Sequence, residues 1–223
     1  MAYYDDNLSG EQLRRCYDLA PPLVRRYLAA EIDHIVSLLH AGDEVLELGC
    51  GYGRVALKLV PQVRRVVGID TATGNIALAR KLAGTDSHAE FHEMDASALS
   101  FPDASFDAVV CPQNGICAFG GDRERLVGEA ARVCRPGGQL VFSSYAEQFW
   151  PHRLEWFELQ AADGMMGAID HEATGDGVIV CEDGFRAGFM SPDEFHELWS
   201  RLGFAPNIST VDGSATFCTC TMG

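Results

Sequence analysis

Glu47, Gly49, Gly51, Gly53 and Arg54 fall within eight positions of the stretch Val-Leu-Glu-Leu-Gly-Cys-Gly-Tyr-Gly-Arg at 45–54. Glycines at alternate positions permit tight or positive-φ turns and let a ligand approach the main chain closely. The spacing is G-x-G-x-G, and Arg54 stands where a G-x-G-x-x-G dinucleotide fingerprint needs its third glycine. Glu47 places a carboxylate two residues before the first glycine. A carboxylate there repels a pyrophosphate and welcomes a cation. Asp70 follows 23 residues after Glu47, near the spacing at which an acidic side chain takes ribose hydroxyls in α/β nucleotide sites. Both hydroxyls can donate charge-assisted hydrogen bonds to such a carboxylate. Asp95, followed by Ala96, pairs a carboxylate acceptor with a backbone amide, which suits an adenine edge. These residues fit a ligand with adenine, ribose and a cationic tail. The chain has no Gly-Lys-Ser/Thr signature to hold a triphosphate.

The elements that must position them follow from hydrophobic periodicity. Val45, Leu46 and Leu48 end a buried strand, and 55–59 reads as the start of a helix, so the glycines sit at a strand-to-helix switch. A helix opens at Pro21-Pro22 and runs toward Gly42 with Val24, Leu28, Ile32, Ile35, Val36 and Leu39 at helical spacing; a shorter one over 11–19 precedes it. Strands are predicted at 65–70, 90–95, 106–111 and 139–144, with helices at 74–83 and around 126–133, the latter ended by Arg135-Pro-Gly-Gly138. This alternation means a parallel sheet with right-handed crossovers. Beyond it come an aromatic-rich helix at 149–160 and a hairpin around 178–181, flanked by Gly175-Asp-Gly177 and Asp183-Gly184. A last helix follows, with Ser191 as N-cap, Pro192 at N1 and Glu194 at N3, and then a terminal strand pair at 208–211 and 216–221.

Composition narrows the partners. With 17 basic and 32 acidic residues the net charge is −15, which repels a nucleic-acid backbone, so no nucleic acid is expected. The first residues show no basic or apolar leader, and no apolar run approaches the ~20 residues of a membrane span. The eight cysteines include no C-x-x-C pair, and the simplest reading is a reduced, cytoplasmic protein, monomeric or homodimeric. Cys218 and Cys220 share one face of a strand and read as two core-facing thiols; no metal site is expected.

Taken together, the segments at 45–54, Gly68-Ile-Asp70, Glu93-Met-Asp-Ala96, Ser105-Phe-Asp-Ala-Val-Val110 and Arg135-Pro-Gly-Gly138 resemble the class I S-adenosylmethionine-dependent methyltransferases, in that family's order and over about residues 42–145. The resemblance implies an α/β fold: a Rossmann-like, seven-stranded, mostly parallel sheet with an antiparallel last strand, N-terminal helices and a small hairpin inserted between strand five and the last helix. One domain over 1–223 would divide into an N-terminal helical cap (1–41), a cofactor-binding half (42–145), a lid or insertion (146–190), and the last helix with the strand pair (191–223). It further implies S-adenosylmethionine as cofactor and S-adenosylhomocysteine as product. Glu47 and the loop of Gly49, Cys50, Gly51 and Gly53 would lie near the methionyl part, Asp70 with Thr71 on the ribose, Asp95 and Ala96 on adenine, and Gln113 near the sulfonium.

The acceptor is expected to be a small molecule methylated on N, O, S or C. Its pocket would be built from what is added to the sheet, with Tyr4, Tyr17, Asn114, Tyr145, Trp150, Arg153 and Arg186 as candidates. Trp156 and His171 are further candidates in the same added segments. Arg153 and Arg186 suit a carboxylate or phosphate, and Trp150 and Trp156 an aromatic or cationic group. Methyl transfer is an in-line displacement that rests largely on positioning, so catalytic residues are not legible. Two competing readings are a non-catalytic module that only binds the cofactor or its product, and a nicotinamide-dependent oxidoreductase.

Overall fold

The computed structural model describes residues 8–85, 88–119 and 121–223. A seven-stranded sheet runs in the order β3-β2-β1-β4-β5-β9-β8. Its parallel half consists of β1 (Glu44–Leu48), β2 (Arg65–Asp70), β3 (Ala89–Glu93), β4 (Phe106–Cys111) and β5 (Cys134–Tyr145). β9 (Ala215–Thr221) pairs antiparallel with β5 on one side and with β8 (Asn207–Val211) on the other. The parallel half is the one the alternating pattern predicts, and the antiparallel last strand is the one the resemblance implies.

Both faces of the sheet are covered. One core gathers Val45, Val66, Val110 and Val141 with α2 (Pro22–Leu38) and the short α3 (Ala56–Leu59). The other gathers Leu46, Val67, Val109 and Leu140 with α6 (Arg123–Val133) and α8 (Pro192–Arg201). Successive residues of each strand therefore feed opposite cores, as the pleat requires. α8 starts as expected: Ser191 Oγ accepts from the Glu194 N–H, and the Glu194 carboxylate accepts from the Ser191 N–H.

Local differences have local causes. The helix after the glycine loop holds only four residues, because the chain must turn into β2 after Val60. β3 ends at Glu93, which leaves Asp95 in the following turn, where its Oδ1 accepts from the N–H and the O–H of Ser97. Arg135-Pro-Gly-Gly138 does not stand outside the sheet but opens β5, because Gly137 N–H donates to Met222 O and Met222 N–H to Gly138 O, each at 2.8 Å. The inserted hairpin is short: β6 (Ile179–Val180) pairs with β7 (Arg186–Ala187).

The additions gather over the C-terminal ends of the parallel strands. α1 (Glu11–Asp18) lies above the glycine loop, and α7 (Trp150–Ala162) packs beside it. Trp156 Nε1 donates to Cys16 O at 2.9 Å, and the Arg15 guanidinium grips the Asp163 carboxylate with two hydrogen bonds of 3.1 Å. The hairpin joins them through a third apolar cluster that includes Cys16, Phe157, Met166, Phe185 and Ala187.

Candidate active site

The turn after β1 is shaped by its glycines. Gly49 and Gly51 adopt φ of +69° and +53°, and added side chains would meet neighbours: a Cβ at Gly49 would lie 2.9 Å from Phe119 Cζ, and one at Gly51 2.9 Å from Leu13 Cδ2 of α1. Gly53 serves packing instead, since a Cβ there would lie 3.0 Å from Phe91 Cζ of β3. Asp70, at the tip of β2, braces this turn. One of its oxygens accepts from Gly51 N–H at 2.9 Å, and the other from Ala72 N–H at 2.9 Å and the Asn75 amide at 3.1 Å.

A cavity of about 430 Å³ opens from this turn, within the range of small-molecule sites. Glu47, Gly49, Cys50, Gly51, Asp70, Thr71 and Gln113 line it, as do the acceptor candidates Tyr17, Asn114, Tyr145, Arg153 and Arg186. Gly53, Asp95, Ala96, Trp150 and His171 are not part of its wall, whereas Trp156 is. Tyr4 lies outside the described residues. His171 sits in an exposed turn fastened by Asp170, which accepts from the N–H groups of Glu172 and Ala173.

At the floor of the cavity is a buried polar cluster whose centre the sequence reading missed. Glu31, on α2, is fully buried. Its Oε1 accepts from Ser143 Oγ at 2.6 Å and from Gln113 N–H at 2.7 Å, while Oε2 has no hydrogen bond and lies 3.7 Å from Arg54 Nη2. Gln113 holds a left-handed φ of +50°, and its side-chain carbonyl accepts from Tyr17 O–H at 2.5 Å and Arg54 at 2.8 Å. Arg54 also lies over the Tyr17 ring, 4.7 Å from its centre. The signal for Glu31 was available: it falls on the buried stripe with Val24, Leu28 and Ile35, where a charge is costly unless paired.

Arg54 thus pairs with Glu31 and forms no ion pair with Glu47. Glu47 is 2% exposed, and its Oε2 has no hydrogen-bond partner. Burial pushes its carboxyl up to about 8; Arg54 and the Ala56 N–H oppose this, and the negative neighbours Glu31 and Asp70 add to it. Burial likewise raises Glu31, against Arg54 and its hydrogen bonds. An orphaned carboxylate oxygen on a cavity wall fits a cationic ligand group, and Asp70 beside it fits ribose hydroxyls.

The other candidates serve the architecture as well as the cavity. Asn114, at φ +60°, donates from its amide to Gly188 O at 2.9 Å and accepts from Ser144 Oγ at 2.7 Å. Arg153, 1% exposed, donates to the carbonyls of Gly177, Ala187 and Gly188 and lies 4.6 Å from the Tyr145 ring centre. Among the described residues no group of three His, Cys, Asp or Glu side chains is placed to hold a metal.

Residues 45–138 match a protein-family model described as a methyltransferase domain. Over this segment, less than half of the chain, the protein is similar to methyltransferase domains. The chain is 38% identical over 107 residues to phosphatidylethanolamine N-methyltransferase of Cereibacter sphaeroides, covering 47% of this chain and 51% of that one. It is 39% identical over 129 residues to demethylmenaquinone methyltransferase of Deinococcus radiodurans, covering 54% and 48%. The chain spans about half the length of these curated relatives. Among solved structures, DhpI in a complex with SAM and HEP superposes with a TM-score of 0.68 at 22% identity, over 98% of this chain and 94% of that one. The fold is therefore shared with that structure over nearly the whole chain, and no described helix is long and apolar enough to cross a membrane.

Proposed function

We propose that the protein transfers a methyl group from S-adenosylmethionine to a small-molecule acceptor. One observation carries the reading. A single cavity runs from the acidic tips of β1 and β2, at Glu47 and Asp70, to a wall built by α1, α7 and the hairpin. Bound S-adenosylmethionine supplies a methyl carbon on a positive sulfur, which leaves as a neutral thioether when the acceptor's lone pair displaces it. The chain's part is to bind, orient and exclude water. Asp70 and Thr71 would hold the ribose, Glu47 with the Gly49–Gly51 backbone the methionyl end, and Gln113 the region where donor and acceptor meet. Asp95 and Ala96 are proposed for adenine as the resemblance implies, from a turn that borders β3 rather than the cavity wall. Tyr17, Asn114, Tyr145, Arg153 and Arg186 line the proposed acceptor end, with Trp150 packed behind Arg153 at 5.8 Å.

Fixing two reactants in line accounts for much of the acceleration in such a reaction. The curated relatives act on acceptors as different as phosphatidylethanolamine and demethylmenaquinone, so the shared half points to the donor and leaves the acceptor to the added segments. Calorimetry with S-adenosylhomocysteine, followed by transfer of tritiated methyl from S-adenosylmethionine into a cellular metabolite extract, tests the proposal. Binding and labelling are expected. Binding without labelling in any extract leaves a cofactor-binding module instead, and stabilisation by NADH alone overturns both. Light scattering distinguishes a monomer from a homodimer, the two states the sequence leaves open.

A further inference from the structure

Charge is divided unevenly around the cavity. Its acidic lining residues, Glu47 and Asp70, both stand at the glycine-loop end. The described lining residues from Pro112 onward include no Asp, Glu or His, but they include Arg153 and Arg186. In a chain of net charge −15 this positive end is a local exception. Arg186 forms no ion pair or side-chain hydrogen bond with a described residue, although it sits on a hairpin strand at the cavity's edge.

The remainder of that end is apolar and flat-walled. Trp156, Phe157, Met166 and Phe185 are all buried, and the Phe157 and Phe185 rings stack at 5.9 Å with 29° between their planes. Three of the aromatic faces on the cavity wall are already met by the protein's own guanidinium groups. Arg54 lies over Tyr17, and Arg153 lies 4.6 Å from the Tyr145 centre and 5.6 Å from that of Phe157. An ammonium entering beside these rings would meet positive charge already in place. Among the described residues lining this end no carboxylate or imidazole is placed to deprotonate an ammonium or an alcohol, so an acceptor that is already anionic fits best.

We infer that the acceptor is a planar, apolar small molecule bearing an anionic group, and that Arg186 reads that group. This rests on the proposed methyl transfer. Three naphthalene probes with the same body and different charge test it: 1-naphthoate, 1-naphthalenemethanol and 1-naphthylmethylamine, titrated by calorimetry into the protein saturated with S-adenosylhomocysteine. Naphthoate is expected to bind at least about tenfold tighter than the alcohol, with the amine weakest, as a charge-assisted hydrogen bond would give. Arg186→Ala should remove that preference, Arg186→Lys should keep part of it, and alcohol binding and S-adenosylhomocysteine affinity should not change in either. Equal or tighter binding of the amine, no binding of any probe, or an unchanged naphthoate preference in Arg186→Ala overturns the inference. Failure of S-adenosylhomocysteine to bind at all overturns the underlying functional reading instead.

Discussion

At the scale of single residues, the site is organised by three carboxylates with different surroundings. Asp70 is fully engaged with backbone and Asn75 donors, and these fix its direction. Asp70→Ala should weaken S-adenosylhomocysteine binding by about 1.5–3 kcal/mol for each charged hydrogen bond lost to the ribose, measured by calorimetry; unchanged affinity would refute the role. Glu47 makes a pH-dependent prediction. Folded, it keeps its proton up to about pH 8, against an ordinary value of 4.5, so between those values the folded state holds a proton that the unfolded state has released. Stability from this group therefore falls as pH rises through that window and levels off above it. Glu47→Gln should flatten this slope in the melting temperature of the ligand-free protein, and should also weaken cofactor binding at pH 8.5. Glu31 shares the charge of Arg54, its ion-pair partner, which also acts on Glu47. Glu31→Gln should thus lower cofactor affinity from a distance by leaving Arg54 without its ion pair, while Glu31→Ala should destabilise the fold further by also removing the acceptor of Ser143 O–H and Gln113 N–H. Glu47 and Asp70 were legible because they stand at fixed offsets from a glycine motif. Glu31 stood out only as a charge on the apolar stripe of α2, and its partners were not legible, because its bonds to Gln113 and Ser143 form only when α2 packs across the ends of β4 and β5.

At the scale of elements, local rules decided the outcome wherever one element met its own signals. Ser191, Pro192 and Glu194 announce α8, and the reciprocal cap forms. Ser191→Ala should cost about 1 kcal/mol, read as a lower denaturant midpoint with an unchanged slope. Where tertiary pairing competed with local signals, it prevailed. The Pro-Gly-Gly at 136–138 carries turn chemistry, yet β9 and Met222 recruit its backbone into β5. Asp95 reads as a strand end, but its Ser97 bonds fold it into a turn beyond β3. The proposed acceptor end was named from its aromatic and arginine content, but not its layout, since three separated segments, 11–18, 150–162 and 179–187, meet there without a common motif.

At the scale of the whole molecule, the sheet order follows from strand–helix alternation and the handedness of crossovers, which is why the parallel half was readable in outline. The net charge of −15 makes a further prediction: single-stranded RNA and duplex DNA should show no gel shift at about 50 mM salt, and a stable complex would contradict the small-molecule assignment. One feature reaches beyond equilibrium. α1 covers the glycine loop through Leu13, and three ties hold it there: Tyr17 to Gln113, Trp156 to Cys16 and Arg15 to Asp163. For the proposed methyl transfer, a tied cover of this kind is expected to make the residence time of spent cofactor, rather than the chemical step, the clock of turnover. Mixing enzyme with excess donor and acceptor should then give a rapid burst of about one product per site before a slower steady rate, and Arg15→Ala should quicken the slow phase while leaving the burst rate alone.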